Sequence, residues 1–361
     1  MTVIRRTNIK QDALKIAWTN TLSGVGVAFG YSNHQKQLKQ ALSDNGVIFD
    51  HKSQVQVSIV PANNFVRVPD KFNVLYTMYE ATDIPKSWIP KIQGADLIVV
   101  PCEHNKKLFR KYTNKPIEVC LEGVLTDKFS YVDRFFPKNK AFRFLWFGAS
   151  NQRKGYQFAI ASWRLFQIKY PEIAFRCELY MKTTQSAECE HIVRYENGQP
   201  IKEVMPKERI FKTKNAIVDT RRVTEEELTQ IYHDSHCFLF PTMGEGFGLT
   251  LAEAMSTGLP CIYTPWSGPR DFISIKEGYP LKFTMAKVES QIARMDGNHI
   301  TDCQTHAASP DIDHMVRRMV QVYSDYETAL KKGKRAADRI RREITWTKSA
   351  KRFEEIIRRY V

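Results

Sequence analysis

The chain lacks the paired spacings and long apolar runs that mark several structural classes. It has seven cysteines, an odd number, and no two stand as Cys-x-x-Cys. Disulfide frameworks and structural zinc sites need such pairs, so neither is expected. Most of the thiols sit in apolar runs, as Cys237 does in His236-Cys237-Phe238-Leu239-Phe240. They read as small core hydrophobes of a reducing compartment. No stretch approaches the roughly 20 apolar residues needed to cross a bilayer. Polar residues 7–14 follow the basic start, where a secretion signal would carry its apolar core. The expected location is therefore cytoplasmic. There is also no internal repeat, no low-complexity tract and no cluster of metal-ligating side chains.

What is present is an ordinary globular composition with an unusual charge. Of 361 residues, 43% are hydrophobic, 12% aromatic and 26% charged, which argues against a disordered or fibrous chain. The length suits two domains. The 54 Lys and Arg outnumber the 39 Asp and Glu, giving a formal net charge of +15. The excess lies at the two ends. Residues 1–150 carry 21 basic and 12 acidic side chains, whereas residues 151–300 carry 19 and 18.

Short apolar runs alternate with longer amphipathic stretches, the pattern of parallel sheets with crossover helices. Strands are expected at 14–19, 55–60, 73–77, 97–100, 142–147, 177–181, 237–240 and 260–264. Helices are expected at 34–42, 157–169, 225–233 with Thr224 as N-cap, 249–257, much of 311–344, and 348–361. The segment 131–140 is the expected linker. This predicts two α/β units with a cleft between them.

The segment richest in chemistry is Pro241-Thr242-Met243-Gly244-Glu245-Gly246-Phe247-Gly248-Leu249, in which a buried strand delivers a Gly-rich turn that opens a helix. Glycines let a backbone approach a ligand, and the N–H groups at a helix start attract anions. Glu245 and Glu253 would reach different parts of such a ligand. Backbone amides for phosphate and carboxylates for hydroxyls together suit a nucleotide sugar. In the first unit, Ser23-Gly24-Val25-Gly26 is a weak dinucleotide fingerprint and reads equally as a plain strand–helix turn.

These residues carry a specific resemblance. Glu245-Gly246-Phe247-Gly248-Leu249, then Glu253-Ala254-Met255 and Gly258-Leu259-Pro260, resemble the Glu–seven residues–Glu signature of retaining family-four glycosyltransferases. Gly148-Ala149-Ser150-Asn151-Gln152-Arg153-Lys154-Gly155 resembles that family's donor-phosphate loop, with Lys154 in its basic position. Many relatives have Arg where this chain has Ala149, and Arg153 is a candidate to compensate. The resemblance implies the GT-B fold, an α/β architecture of two Rossmann-like, doubly wound parallel-sheet domains facing a cleft. The expected division is 1–137 for the acceptor side, 138–335 for the nucleotide sugar, and 336–361 for a helix, with Trp346, that crosses back. It further implies that Glu253 binds the ribose hydroxyls, that Glu245 lies by the donor sugar, and that Phe247, Gly248 and Leu249 contact sugar and diphosphate. Lys154 would stabilise the departing diphosphate. The loop with Gly24 and Gly26 would close over the donor from the opposite side. Tyr79-Glu80 stands where many relatives have His-Asp, which makes Glu80 a candidate for orienting a hydroxyl, or else a helix cap. His104 reads as a surface residue.

The expected activity is a hexosyltransferase-like glycosyl transfer with retention, needing no metal and no cofactor beyond the nucleotide-sugar co-substrate. Lys106, Lys107, Arg110 and Lys111, together with a basic C-terminal region, point to an acceptor that is anionic or held on an anionic surface. A lipid-linked glycan or polysaccharide at the inner membrane face is one such acceptor. A modified base in phage-type DNA is another. The non-enzymatic alternative is a polyanion-binding protein with a degenerate donor pocket. Donor base, sugar and oligomeric state have no signature in the sequence.

Overall fold

The computed structural model describes residues 13–18, 28–184, 191–196, 199–204, 210–212, 215–288 and 305–361. The expected loop glycines Gly24 and Gly26 lie outside the described residues. The first lobe holds β1 (Lys15–Trp18), α1 (Ala28–Asp44), β2 (Ile48–Phe49), β3 (Val55–Ile59), β4 (Phe72–Tyr76), α2 (Ile89–Gln93), β5 (Leu97–Val100), α3 (Glu103–Arg110) and β6 (Ile117–Val119). Its strands form one parallel sheet in the order β2-β1-β3-β4-β5-β6.

The second lobe begins with β7 (Phe142–Ala149), α4 (Tyr156–Lys169), α5 (Pro171–Ala174), β8 (Cys177–Thr184), β9 (His191–Glu196), β10 (Gln199–Val204), β11 (Ile210–Lys212) and β12 (Ala216–Asp219). It continues with α6 (Glu225–His233), β13 (Cys237–Phe240), α7 (Leu249–Ser256), β14 (Cys261–Tyr263), β15 (Tyr279–Pro280), β16 (Phe283–Lys287), β17 (His306–Pro310), α8 (Ile312–Ser324), α9 (Tyr326–Glu343) and α10 (Trp346–Tyr360). The sheet order is β11-β12-β8-β7-β13-β14-β15, with β11 antiparallel to its neighbour and the rest parallel. Without β11, this is the doubly wound order that reverses direction between the first and fourth strands.

The sequence pattern explains the layers. Strand residues point alternately to opposite faces. On β7, Phe142, Phe144 and Trp146 pack with α4 and α8, while Leu145 turns to the other face against α7 and α9. β5 and β13, Leu-Ile-Val-Val and Cys-Phe-Leu-Phe, are buried along their whole length, as strands covered on both faces must be. α6 starts at a capping box. The Glu227 N–H donates to Thr224 Oγ1 at 3.2 Å, and the Thr224 N–H donates to the Glu227 carboxylate at 2.8 Å.

The largely helical segment 311–344 is divided into two helices. Asp325 leaves helical geometry at φ −128°, and its carboxylate caps α9 by accepting the Thr328 N–H. α9 still belongs to the second lobe. Its Ala336 and Ile340 lie in that core, and Gly333 sits against the Gly258 backbone, where a Cβ would be 2.2 Å from a carbonyl oxygen. The return to the first lobe therefore occurs at Ile344–Thr345 rather than at 336. There the Val124 N–H donates to the Ile344 carbonyl at 3.1 Å. α10 then buries Trp346, Ala350, Phe353, Ile356 and Ile357 against the sheet face that α1 also covers. Among the described residues, no helix is long and apolar enough to cross a membrane.

Candidate active site

β7 and β13 are the neighbours at which the second sheet's order reverses. The loops leaving their C-terminal ends diverge, and ligands of doubly wound sheets bind in the crevice so formed. Here those loops are residues 150–155 and 241–248.

The two loops are fastened to each other by backbone contacts. The Met243 N–H donates to the Arg153 carbonyl at 2.8 Å, and Trp146 Nε1 donates to the Lys154 carbonyl at 3.1 Å. Asn151 Oδ1 accepts the Lys154 N–H and caps the short turn. Gly155 closes that turn at φ 75°, and a Cβ there would lie 2.0 Å from the Pro241 carbonyl oxygen. Only glycine satisfies both conditions.

This framework brings Lys154 and Glu245 together from separate strands. Lys154 Nζ lies 2.9 Å from both Glu245 carboxylate oxygens. Arg153, 7% exposed, places Nη1 2.8 Å from the Gly244 carbonyl and 3.1 Å from Glu245 Oε2. Its Nη2 lies 3.7 Å from Glu80 Oε1 of the first lobe. Arg153 thus spans the seam, with its charge shared between two carboxylates. Burial alone would raise the Glu245 carboxyl, but the Lys154 and Arg153 charges outweigh it and hold the group below its ordinary range. Burial, reinforced by the Arg153 charge, lowers Lys154. Glu80 caps no helix. Its carboxylate faces Arg153, and its carbonyl oxygen lies against Gly244.

That contact revises the expected purpose of the turn's glycines. A Cβ at Gly244 would be 2.0 Å from the Glu80 carbonyl oxygen, and one at Gly246 would be 2.3 Å from Met78 Sδ. Both glycines make room for the first lobe, Gly244 for the Glu80 backbone and Gly246 for the Met78 side chain. Gly248, at φ 110°, is the left-handed residue from which α7 starts. Phe247 is buried on Phe272, with ring centroids 4.7 Å apart, and Leu249 is half-buried at the first position of α7.

The turn is also held from a third side. The Glu245 N–H donates to Ser267 Oγ at 2.9 Å, and the Gly268 N–H donates to the Glu245 carbonyl at 3.1 Å. Ser267 adopts φ 56°, a strained conformation for a residue with a Cβ, and such strain collects at functional turns.

Glu253 occupies a different environment from Glu245. It is buried on α7, accepts a hydrogen bond from Tyr232 Oη at 3.2 Å, and feels the Glu122 carboxylate. Burial, opposed by that hydrogen bond and aided by Glu122, pushes its carboxyl up to about 8. At neutral pH one carboxyl of the pair is ionised and the other keeps its proton.

The seam is closed on one side. His104 is half-buried with its ring edge-on to Trp266, centroids 4.8 Å apart, so it is not the surface residue expected. Nearby, the Glu103 N–H donates to Asp271 Oδ2 at 2.7 Å. The β16–β17 hairpin joins both lobes, as the Thr82 N–H donates to the His306 carbonyl and the Ala308 N–H to the Met243 carbonyl. Further along the sheet, β8 holds a buried Lys182. Its ammonium donates to the Asp219 carbonyl at 3.2 Å and lies 3.9 Å from the Asp219 carboxylate. Hydrogen bonds from Arg221 and Tyr180 outweigh burial and bring the Asp219 carboxyl down to about 2. Among the described residues, no group of three or more His, Cys, Asp or Glu side chains could hold a metal ion.

Two doubly wound lobes meeting over such a crevice define the GT-B class of glycosyltransferase. The chain belongs to the family described as family 4 glycosyltransferase in conflict systems, whose sequence model matches residues 102–353. Solved structures share the fold at low identity. A glycosyltransferase from Rickettsia africae has a TM-score of 0.59 at 12% identity, over 96% of this chain and 98% of that one. Sucrose-phosphate synthase from Thermosynechococcus elongatus has a TM-score of 0.59 at 12% identity, over 91% and 78%. Staphylococcus aureus TarM, solved with fondaparinux, α-GlcNAc-glycerol and UDP, has a TM-score of 0.55 at 14% identity, over 84% and 56%. No curated protein matches the chain by sequence.

Proposed function

We propose that this glycosyltransferase moves a sugar from a nucleoside-diphosphate donor to a hydroxyl of an anionic acceptor, with retention of configuration and without a metal. The observation that carries the reading is Lys154 Nζ, held 2.9 Å from Glu245 at the mouth of the β7/β13 crevice. A cation fixed there stabilises charge that grows on a departing diphosphate, and it needs no reorganisation to do so. In the step proposed, the bond between the anomeric carbon and the diphosphate breaks with its electron pair leaving on phosphate. The acceptor oxygen bonds to that carbon and gives its proton to the leaving phosphate. Glu245 positions Lys154 and the donor sugar, and Glu80, across the seam on Arg153, orients the acceptor hydroxyl. Glu253 takes the ribose hydroxyls, with Phe247, Gly248 and Leu249 beside the sugar and diphosphate. The UDP in the TarM crystals supports a nucleotide donor.

The test is release of nucleoside diphosphate from a panel of nucleotide sugars. Turnover by the native protein should fall by about 100- to 1,000-fold in Lys154→Ala, the loss typical when one preorganised electrostatic group is removed. Glu245→Ala should fall comparably. Turnover that survives in Lys154→Ala would overturn the assignment, and binding of polyanions with no turnover of any donor would identify the pocket as degenerate.

A further inference from the structure

The positive charge noted in the sequence is not equally available over the molecule. On the C-terminal helices part of it is neutralised in place, while Lys334, Arg335, Lys348 and Lys351 there are exposed with no carboxylate at ion-pair distance among the described residues. Arg352 and Arg359 pair with Glu118, Arg358 with Glu354, Arg339 and Arg342 with Glu343, and Lys331 with Glu327.

The face of α3, with the turn after it, sets unpaired cations beside a cavity. Lys107, Arg110, Lys111 and Lys115 are exposed, and among the described residues none of them lies within ion-pair distance of a carboxylate. Arg110 and Lys111 are held by carbonyl oxygens, which fix their positions and leave their charge uncompensated. Arg110 donates to Thr113 and Lys115 carbonyls at 3.2 and 3.0 Å, and Lys111 donates to the Thr82 carbonyl at 2.9 Å. Beside them lies an open cavity of about 480 Å³, whose lining includes Gln93, Arg110, Lys111, Tyr112, Asn114 and Lys115, with no acidic side chain in its wall. The field extends to the seam. Burial lowers His104, and the charges of Lys111, Arg270 and Lys107 lower it further, with Arg270 coming from the second lobe.

We propose that this face and cavity dock a nucleic-acid strand through its phosphodiester backbone and bring it to the seam as the carrier of the acceptor. The inference rests on the proposed transfer to an anionic acceptor and names the class of that acceptor. Two features favour a strand over a lipid surface. A helix that lies in a bilayer interface needs an apolar face to bury, yet the apolar residues of α3, Leu108 and Phe109, are 2% and 0% exposed and belong to the core. The open wall also presents cations and amides together, donors that a flexible chain of phosphates can follow. Phosphate contacts of this kind release counterions, so binding must weaken with salt.

The experiment measures binding of a mixed-sequence single-stranded oligonucleotide to the full chain between about 50 and 200 mM salt. The double variant Lys107→Ala/Lys115→Ala should bind more weakly, and its slope of log affinity against log salt should be shallower by about 0.7 for each phosphate contact removed. Lys331→Ala, which removes a charge already paired with Glu327, should leave both quantities unchanged. The proposal is overturned if the oligonucleotide fails to bind at low salt. It is equally overturned if Lys331→Ala weakens binding as much as the double variant does. A third refuting outcome is vesicles of phosphatidylserine and phosphatidylcholine binding as tightly as the oligonucleotide, with the same dependence on Lys107 and Lys115. Nucleoside diphosphate release by the native protein is assayed separately. Turnover without strand binding rejects the docking surface alone, and strand binding without turnover rejects the transferase reading of the crevice.

Discussion

Replacing Glu253 by glutamine should change how the stability of the fold depends on pH. The Glu253 carboxyl is held at about 8 in the folded chain, against an ordinary value near 4.5. Below pH 4.5 the group is protonated both folded and unfolded, and it contributes no pH dependence. Between 4.5 and 8 the folded chain keeps a proton that the unfolded chain has lost, so stability falls by about 1.4 kcal/mol per pH unit. Above 8 the full penalty, roughly 5 kcal/mol, is present. Glutamine keeps an acceptor for Tyr232 Oη and removes the charge. Denaturant unfolding at a series of pH values should show the stability of Glu253→Gln, relative to the native protein, rising steadily from pH 5 to 8 and levelling beyond. A difference that stays flat across that range would refute the claim that Glu253 is buried as the neutral acid. If ribose hydroxyls donate to the ionised carboxylate, donor affinity runs the other way and tightens as pH rises towards 8. Titration calorimetry with the nucleotide found in the donor screen would measure this.

Two further substitutions test the architecture around the site. In Gly244→Ala the new methyl would meet the Glu80 carbonyl oxygen at 2.0 Å and the Trp266 ring at 2.7 Å, so the lobes must part. Donor turnover should drop by about 100-fold, the cost of a misplacement of about 1 Å at a reacting centre, and wild-type turnover would refute the closed seam. Phe353→Ala empties a site that is 0% exposed beneath Tyr76, and it should destabilise the protein by about 3–5 kcal/mol in denaturant unfolding. A loss under about 1 kcal/mol, the range of surface changes, would mean that α10 does not close the first lobe.

Much of this protein was decided by local sequence. The unbroken apolar runs at 97–100 and 237–240 could only be strands buried on both faces, because no alternation leaves a side for water. Thr224 with Glu227 marked the start of α6, since both halves of a capping box lie within one turn. The glycines and carboxylates from Gly244 to Glu253 marked a candidate ligand turn, the family resemblance of residues 148–155 implied that Lys154 belonged with it, and the fold brings Lys154 to Glu245. What the sequence could not decide was which surface each of these groups would meet. Gly244 and Gly246 read as ligand-facing, yet the chain they admit, at Met78 and Glu80, comes from the other lobe. Two glutamates of one motif read alike, although a cationic neighbour ionises Glu245 and a carboxylate neighbour helps keep Glu253 neutral. Arginines and lysines near the C-terminus and on α3 counted equally in the net charge, and only the fold showed that Arg342, Arg358 and Arg359 meet Glu343, Glu354 and Glu118 while Lys107 and Lys348 meet no carboxylate among the described residues. Backbone preference and hydrophobic period act over a few residues and can be read along the chain. Charge, burial and close approach depend on partners far apart in sequence, and only the folded arrangement supplies them.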